Sequence, residues 1–254
     1  MSNERALITG ASAGIGAAFA DRLAGDGYDL VLVARRRERL DTIAARLRAN
    51  HSVNVEVLAA DLTKPEELRR VEQRLEQSPF VSLLINNAGF GGYMPFVELD
   101  ADRAEEQIRL HVRLTRAAVG GMVARKHGAV INVSSRLAFS GSMPSPPLPR
   151  RATYAASKAY INTFTQIVAN ELAGTGVRVQ ALCPGLVKSE FHAGMNLDYS
   201  QFPPGMVMIP EMVAAASLVC LERGDVFCLP GLEDYTLVAQ ISEAERRLLE
   251  PPRR

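Results

Sequence analysis

Short apolar segments alternate along the chain with longer stretches in which apolar side chains recur every three or four residues. The apolar segments predict strands over residues 6–9, 30–33, 53–59, 81–85, 129–133, 177–182 and 226–229. The periodic stretches predict helices over residues 15–24, 37–49, 65–76 and 154–173, and one from about residue 101. Strands that are apolar on both faces are typical of a buried parallel sheet. The alternation therefore predicts one α/β domain over residues 1–254, with a doubly wound, mostly parallel seven-stranded sheet and helices on both faces.

Two segments interrupt this alternation. Residues 140–151 contain four prolines, which exclude a helix interior or a central strand. Residues 187–207 form a long irregular segment that contains glycines and prolines. Because long irregular segments of compact domains often act as lids, we expect residues 187–207 to cover a substrate site. The alternative for both segments is a surface insertion without a function.

The composition is that of an ordinary globular protein, with 47% hydrophobic and 22% charged residues among 254. The net charge of +1 gives no general attraction to nucleic acid or to an anionic membrane. No run approaches the roughly 20 apolar residues of a membrane span, and the N-terminus indicates no signal peptide. The odd, widely spaced cysteines Cys183, Cys220 and Cys228 fit a reducing compartment and offer no metal-ligand spacing. We therefore expect a cytoplasmic protein without a metal site and without a nucleic-acid or membrane partner.

A glycine-rich loop of the form Gly-x-x-x-Gly-x-Gly joins the first predicted strand to the first predicted helix. Glycines let the backbone turn tightly and approach a pyrophosphate closely. The N-terminus of the following helix offers free N–H groups and a positive dipole end to the same anion. A tight turn without a ligand is the alternative. The loop predicts a dinucleotide site formed by Gly10, Ser12, Ala13, Gly14, Ile15 and Gly16.

The residues after the second strand bear on which dinucleotide binds. An acidic residue about 20 positions after such a loop holds the ribose 2′-hydroxyl of NAD. The count from Gly14 reaches Ala34, which has no carboxylate, and Arg35 and Arg36 follow it. Because arginine presents a planar fork suited to phosphate oxygens, we expect NADP(H) as the preferred cofactor, with NAD(H) possible. The alternative is that both arginines belong to a solvated basic turn.

Tyr154 and Lys158 stand four positions apart at the start of a predicted helix, so they are neighbours on one helix face. A phenol normally titrates near pH 10, and a cation beside it favours the phenolate and lowers its pKa. The pair therefore predicts a proton donor and acceptor that works near neutral pH. A serine pair, Ser134 and Ser135, lies upstream.

Together these motifs resemble those of the classical short-chain dehydrogenase/reductase family, over about residues 6–230. The matching motifs are the loop at residues 9–16, Asp61-Leu62, the Asn-Asn-Ala-Gly sequence at residues 86–89, Ser134-Ser135, the Tyr154 and Lys158 pair, and Pro184-Gly185. The resemblance implies a Rossmann-type domain and further cofactor contacts. These are Asp61 and Leu62 beside the adenine, Asn87, Ala88 and Gly89 in the wall behind the cofactor, and Pro184, Gly185, Val187 and Ser189 on the nicotinamide side.

The resemblance also implies the chemistry and the assembly. Ser135 would orient the substrate oxygen, and the family pattern favours it over Ser134. Tyr154 would give a proton to a carbonyl oxygen or take one from an alcohol. Lys158 would lower the pKa of Tyr154 and hold the nicotinamide ribose. A homodimer or homotetramer is the expected assembly.

The chain departs from the family pattern in the helix after the fourth strand. The family usually carries a proton-relay asparagine there. Matching from the N-terminal side puts His111 at that position, whereas counting back from the following Leu-Thr-Arg-Ala sequence puts Gln107 there and indicates that about four residues are missing. A histidine can relay protons because it titrates near neutral pH, so His111 is a candidate catalytic residue. Simple packing of His111 is the alternative.

The chain also departs between Ser135 and Tyr154, which are 19 positions apart, more than is usual in the family. The proline-rich residues 140–151 account for the excess, and extra loop length costs little closure entropy. This insertion would rim the substrate entrance. Two alternatives stay open here: Phe139, Met143 and Leu148 would form an apolar mouth, or Arg150 and Arg151 would attract an acidic substrate.

These observations predict an NADP(H)-dependent oxidoreductase that interconverts a carbonyl and an alcohol. The lid supplies apolar side chains that favour a largely hydrophobic substrate, namely Phe191, Met195, Leu197, Phe202, Met206 and Met208. The alternative is an NADP(H)-binding sensor or scaffold with weak or no turnover, and the altered helix around His111 is what supports it.

Overall fold

The computed structural model describes residues 4–77, 81–91, 93–146, 148–195 and 197–250, without the side chains of residues 101–104, 107 and 193–195. Its strands are β1 (Arg5–Thr9), β2 (Asp29–Ala34), β3 (Val55–Ala59), β4 (Val81–Asn86), β5 (Gly128–Val133), β6 (Val177–Leu182), β7 (Leu186–Val187), β8 (Val207–Met208) and β9 (Phe227–Cys228). Seven of them form a parallel sheet in the order β3-β2-β1-β4-β5-β6-β9.

Helices cover both faces of this sheet. They are α1 (Gly14–Gly25), α2 (Arg37–His51), α3 (Pro65–Glu76), α4 (Ala101–Arg125), α5 (Ala152–Glu171), α6 (Pro210–Arg223) and α7 (Thr236–Leu248). Helices α1, α2 and α6 share one hydrophobic cluster with the sheet, and α3, α4 and α5 share a second cluster on the opposite face.

Alternation within each strand assigns its side chains to these two clusters. In β1, Ala6 and Ile8 belong to the cluster with α1, whereas Leu7 between them belongs to the cluster with α3 and α4. All three side chains are fully buried, which a strand between two helical layers requires. Each burial on the scale of Leu7 stabilises the fold by about 1.5–3 kcal/mol.

The predicted fold class is confirmed. Each predicted strand is present in the sheet, and the bounds differ by two residues or fewer. The sequence analysis does not predict α6 or α7. Helix α6 carried two boundary signals that could have revealed it, a proline in its first turn and Gly224 at its end in the left-handed conformation (φ 83°).

The proposed lid, residues 187–207, is anchored at its base. Strands β7 and β8 pair with each other, and the Lys188 amide donates a hydrogen bond of 2.9 Å to the Met208 carbonyl. Between the strands the chain forms two short 3-10 turns, Glu190–Met195 and Tyr199–Gln201. The segment is therefore a loop whose two ends are held together beside the sheet.

Candidate active site

A cavity of about 1060 Å³ opens at the carboxyl ends of the parallel strands. The chain runs from β1 outward to β2 and β3, and then returns to β4 on the other side of β1. A crevice forms where the strand order reverses in this way, and it is the usual ligand site of such sheets. Except for Gly16 and His111, every catalytic and cofactor-binding residue that the sequence predicts lines this cavity.

The loop between β1 and α1 has the conformation that its glycines permit. Gly10 has φ +68°, and a Cβ atom there would lie 2.6 Å from Asn87 Nδ2. A Cβ atom at Gly16 would lie 2.4 Å from the Gly10 carbonyl oxygen, so Gly16 sets the packing of the helix against the loop from behind. Ala13 stands at the N-cap of α1 and has no side-chain acceptor, which leaves the first N–H groups of the helix available to an anion.

Hydrogen bonds hold the ends of β1 and β4 together at this point. The Thr9 hydroxyl accepts bonds from the amides of Asn87 (3.0 Å) and Ala88 (2.9 Å). The Asn87 side chain donates in return to the Thr9 carbonyl, at 2.9 Å. The wall that Asn87, Ala88 and Gly89 form in the cavity is therefore fixed to the glycine-rich loop.

Arg35 and Arg36 line the next part of the cavity, and Arg39 joins Arg36 in binding the lid. Arg36 donates to the Ser12 hydroxyl from Nε (3.3 Å) and Nη2 (3.0 Å). Arg36 Nη1 lies 2.7 Å and Arg39 Nη1 2.5 Å from the two carboxylate oxygens of Glu190 in the lid. These two arginines hold the pKa of Glu190 below its usual value. Arg35 is exposed and also lines the cavity.

Asp61 and Leu62 line the cavity just after β3, as expected from the family resemblance. The Asp61 carboxylate accepts bonds from the amide (3.1 Å) and hydroxyl (2.9 Å) of Thr63, and the Asp61 amide donates to Glu67 at 2.7 Å. These contacts hold the turn in place. Pro184, Gly185, Val187 and Ser189 also line the cavity.

The proton-transfer candidates lie where α5 passes the end of β5. Tyr154 and Lys158 are both buried on the first turns of α5, and Lys158 Nζ is 5.8 Å from the centre of the Tyr154 ring. The Ser135 hydroxyl hydrogen bonds the Tyr154 hydroxyl. The Ser134 hydroxyl instead donates to the Lys158 carbonyl at 2.9 Å, so the two serines have different partners.

The pKa of Tyr154 is raised, which differs from the expected direction. Burial is the largest cause, and hydrogen bonds from Ser135 and Tyr93 oppose it. Burial also lowers the pKa of Lys158 to about 8, and its Nζ donates to the Val133 carbonyl at 2.8 Å. The charge of Lys158 favours a lower pKa for Tyr154, but the cost of burying both groups is larger.

Aromatic side chains that the spacing of motifs does not reveal surround the Tyr154 hydroxyl. Tyr93 lies with its ring centre 5.0 Å from that of Tyr154, and burial raises its pKa. Phe191 in the lid lies 6.1 Å from the Tyr154 ring and packs edge-on against His192 at 5.2 Å. Of these residues only Phe191 is expected from the sequence, as an apolar lid residue.

The substrate side of the cavity is mostly apolar. Four further lid residues expected from the sequence line it, namely Leu197, Phe202, Met206 and Met208. The side chain of Met195, which is also expected there, lies outside the described part of the structure. Arg136, which follows Ser135 directly, also lines the cavity and donates from Nη2 to the Pro230 carbonyl at 2.6 Å. The sequence analysis does not single out Arg136.

His111 is buried in α4 and is not among the described residues that line the cavity. Its main-chain carbonyl accepts a bond of 3.1 Å from Asn86, whose amide also donates to Asn132 at 3.2 Å. The main chain of His111 thus contacts β4. A relay through His111 stays a prediction, and the side chain of Gln107 lies outside the described residues.

Arg151 holds the proline-rich insertion together from inside. It is buried, and its guanidinium donates to the Ser140 hydroxyl (2.7 Å) and to the carbonyls of Ser140 (2.8 Å), Met143 (2.9 Å) and Pro149 (3.1 Å). The prediction that Arg151 attracts an acidic substrate is therefore wrong, because its N–H groups already donate hydrogen bonds within the insertion. Of the three apolar candidates, only Leu148 lines the cavity.

Comparison with known proteins adds to this geometry. The family model described as short chain dehydrogenase matches residues 4–200. An uncharacterized oxidoreductase of Staphylococcus saprophyticus is 34% identical over 74% of this chain and 80% of its own length.

No helix in the described part of the chain is long and apolar enough to cross a membrane.

Two solved structures are similar over the whole chain. A short-chain dehydrogenase from Sphingobium yanoikuyae in complex with NADPH superposes with a TM-score of 0.90 at 34% identity, over 99% of this chain and 96% of that one. The bulky-bulky ketone specific alcohol dehydrogenase from Comamonas testosteroni superposes with a TM-score of 0.87 at 30% identity, over 100% and 96%.

Proposed function

The chain belongs to the short-chain dehydrogenase family, and from that premise we propose that it is an NADP(H)-dependent oxidoreductase that interconverts a carbonyl and an alcohol. One observation carries the proposal. The hydrogen-bonded hydroxyls of Ser135 and Tyr154 lie beside the buried Lys158, in the wall of a cavity that also contains the glycine-rich loop. A hydride cofactor in that cavity would meet a proton donor at its reacting end.

The residues present fit a dinucleotide. The glycines let the loop pack closely against Asn87, and the uncapped start of α1 provides N–H donors for a ligand's phosphates. Gly10, Ser12, Ala13, Gly14 and Ile15 would hold the pyrophosphate, and Asp61 and Leu62 the adenine. When bound, the cofactor supplies or accepts the hydride.

The protein's own groups would handle the proton. Tyr154 would donate its hydroxyl proton to the carbonyl oxygen during reduction and accept one from the alcohol during oxidation. The Ser135 hydroxyl would orient the substrate oxygen, and Lys158 would hold the nicotinamide ribose. Because burial raises the pKa of Tyr154, the residue starts in the protonated form that reduction requires.

Arg35 and Arg36 support NADP(H) over NAD(H). Both line the cavity after β2, where a carboxylate would otherwise select the ribose 2′-hydroxyl of NAD. Arg36 also donates to the Ser12 hydroxyl, so its guanidinium adjoins the loop that would hold the pyrophosphate. A guanidinium suits a 2′-phosphate through charge and paired hydrogen bonds.

The apolar lining supports a bulky, largely hydrophobic ketone or the corresponding alcohol as substrate. Phe191, Phe202, Met206 and Met208 face the cavity from the lid, and Leu148 from the insertion. The similarity to an alcohol dehydrogenase described as specific for bulky-bulky ketones agrees with this proposal.

The test is a panel assay with the purified protein. NADPH oxidation is followed at 340 nm with small ketones, bulky aryl ketones and aldehydes, and the dissociation constants of NADPH and NADH are measured by fluorescence. We expect turnover with bulky apolar ketones and tighter binding of NADPH. Binding of NADPH without turnover across the whole panel would contradict the enzymatic function, and tighter binding of NADH would contradict the cofactor preference.

A further inference from the structure

Glu190 bridges the lid and the cofactor-binding side of the cavity. One of its carboxylate oxygens lies 2.7 Å from Arg36 Nη1, and the other lies 2.5 Å from Arg39 Nη1. Arg36 follows β2 and Arg39 lies in the first turn of α2, whereas Glu190 opens the 3-10 turn of the lid. One acidic side chain thus connects the lid to Arg36, which lines the cavity, and to Arg39 beside it.

The Glu190 carboxylate binds the guanidinium groups that would otherwise be available to a phosphate. Arg36 binds it while donating to the Ser12 hydroxyl of the phosphate loop, and Arg36, Ser12 and Glu190 all line the cavity. Two guanidinium groups converging on two oxygens make the arrangement that arginines also form with a phosphate group. A 2′-phosphate that uses Arg36 therefore needs a cation that Glu190 already holds.

The residues next to Glu190 reach the reacting end of the cavity. Phe191 lies 6.1 Å from the Tyr154 ring, and His192 lies 6.3 Å from the Tyr93 ring, centre to centre. A change of partner at Glu190 therefore acts on the same short turn that covers Tyr154.

We propose that Glu190 is a cofactor-specificity residue that competes with the 2′-phosphate of NADP(H) for Arg36 and Arg39. The inference rests on the proposed function, since it requires a dinucleotide in this cavity. NADPH must displace the carboxylate from the arginines, whereas NADH leaves the bridge in place. Glu190 thus reduces the preference for NADPH below what the arginines alone would give.

The expected size of the effect is modest, because the pair is exposed. The side chains of Arg36, Arg39 and Glu190 retain 43%, 49% and 51% of their exposure, so solvent and salt screen the attraction. Glu190 makes two such pairs, and one exposed pair corresponds to about 1.4-fold to fivefold in affinity. Removing the competing charge should therefore tighten NADPH binding by about threefold to tenfold.

The test compares Glu190→Gln with Glu38→Gln, a matched loss of one negative charge in the first turn of α2. Dissociation constants are measured for NADPH, NADH and adenosine 2′,5′-bisphosphate, which carries the 2′-phosphate without a nicotinamide. We expect Glu190→Gln to bind NADPH and the bisphosphate about threefold to tenfold more tightly than the wild type, with NADH changed by less than about twofold. Glu38→Gln should change all three by less than about twofold.

The outcomes separate this inference from the function on which it rests. If the wild type prefers NADPH but Glu190→Gln leaves its affinity unchanged or weakens it, Glu190 does not compete and the inference is overturned. Equal tightening by Glu38→Gln also overturns it, because the effect would then be one of general charge. A wild type that prefers NADH instead contradicts the proposed cofactor.

Discussion

The two ends of the cavity are built in different ways. The cofactor end, residues 9–16, 35–36, 61–62 and 87–89, consists of turns that directly follow strands of the parallel sheet. Its geometry is held by hydrogen bonds to main-chain groups, such as those that the Asn87 and Ala88 amides donate to the Thr9 hydroxyl. The substrate end, Leu148 with the lid residues 187–207, consists of irregular chain outside the sheet.

Side chains, rather than the sheet, organise the substrate end. The Arg151 guanidinium holds the insertion by donating to main-chain carbonyls of the insertion. Phe191, packed against His192, covers Tyr154 from the lid. Such contacts can be exchanged without disturbing the core, because few buried strands depend on them. The comparison suggests that cofactor binding tolerates little change in this protein, whereas the range of substrates can shift with single lid or insertion residues.

The largest expected effect lies where the two ends meet, at Tyr154. Tyr154→Phe removes the proton donor and keeps the buried ring, so we expect kcat with a ketone and NADPH to fall by about a thousandfold. Tyr160→Phe, on the exposed face of the same helix, is the matched control and should leave kcat unchanged. Steady-state rates decide it: substantial activity in Tyr154→Phe would rule out the assigned acid.

The next effect concerns the buried ammonium at the cofactor end. The pKa of Lys158 is about 8 in the folded protein against an ordinary value of 10.5. Between these values the unfolded chain holds a proton that the folded protein has lost, so folding becomes more favourable as pH rises. The wild type should therefore gain up to about 3 kcal/mol of unfolding free energy relative to Lys158→Met from pH 8 to 10.5.

Urea denaturation of both proteins across that range measures this gain, and the difference between them removes the titration of other groups. A constant difference from pH 8 to 10.5 would mean that Lys158 keeps its proton when folded. In that case the Lys158 amine would stay charged over this pH range, and burial would lower its pKa by less than the shift to about 8.

A smaller effect is expected in the insertion. Arg151→Met leaves the carbonyls of Ser140, Met143 and Pro149 without their donor, which should lower the free energy of unfolding by about 2 kcal/mol. Arg150→Met, at the exposed neighbour, should change it by less than about 0.5 kcal/mol. Equal effects of both substitutions in urea denaturation would show that Arg151 does not hold the loop.

The smallest effect concerns the two arginines after β2. Arg36→Ala should weaken NADPH binding by about tenfold and leave NADH within about twofold, because only the former carries a 2′-phosphate. Arg35→Ala should weaken NADPH less, since Arg36 reaches both Ser12 and Glu190. Fluorescence titrations compare them, and a larger loss in Arg35→Ala would transfer the main role from Arg36 to Arg35.

The sequence analysis predicts the cofactor end almost residue by residue. A parallel strand and the turn after it have local signals, namely an apolar run, glycines and a helix start, and the sheet then brings the strand ends together. The same logic explains Gly16, which is needed for packing behind the loop although it does not line the cavity. Tyr154 and Lys158 could be predicted as a pair because helical spacing alone places them on one face.

By itself the sequence determined the doubly wound sheet, the phosphate loop, the family and the candidate acid, since each depends on contacts between near neighbours or on a fixed period. Only the tertiary structure decided the direction of the Tyr154 pKa, the buried role of Arg151, the presence of Tyr93 beside the hydroxyl and the bridge from Glu190 to Arg36. These four depend on burial and on contacts between residues far apart in the chain, as with Arg36 and Glu190 at a separation of 154 positions. Burial changes the energy of a charge more than its sequence neighbours do, and it exists only once the chain has folded.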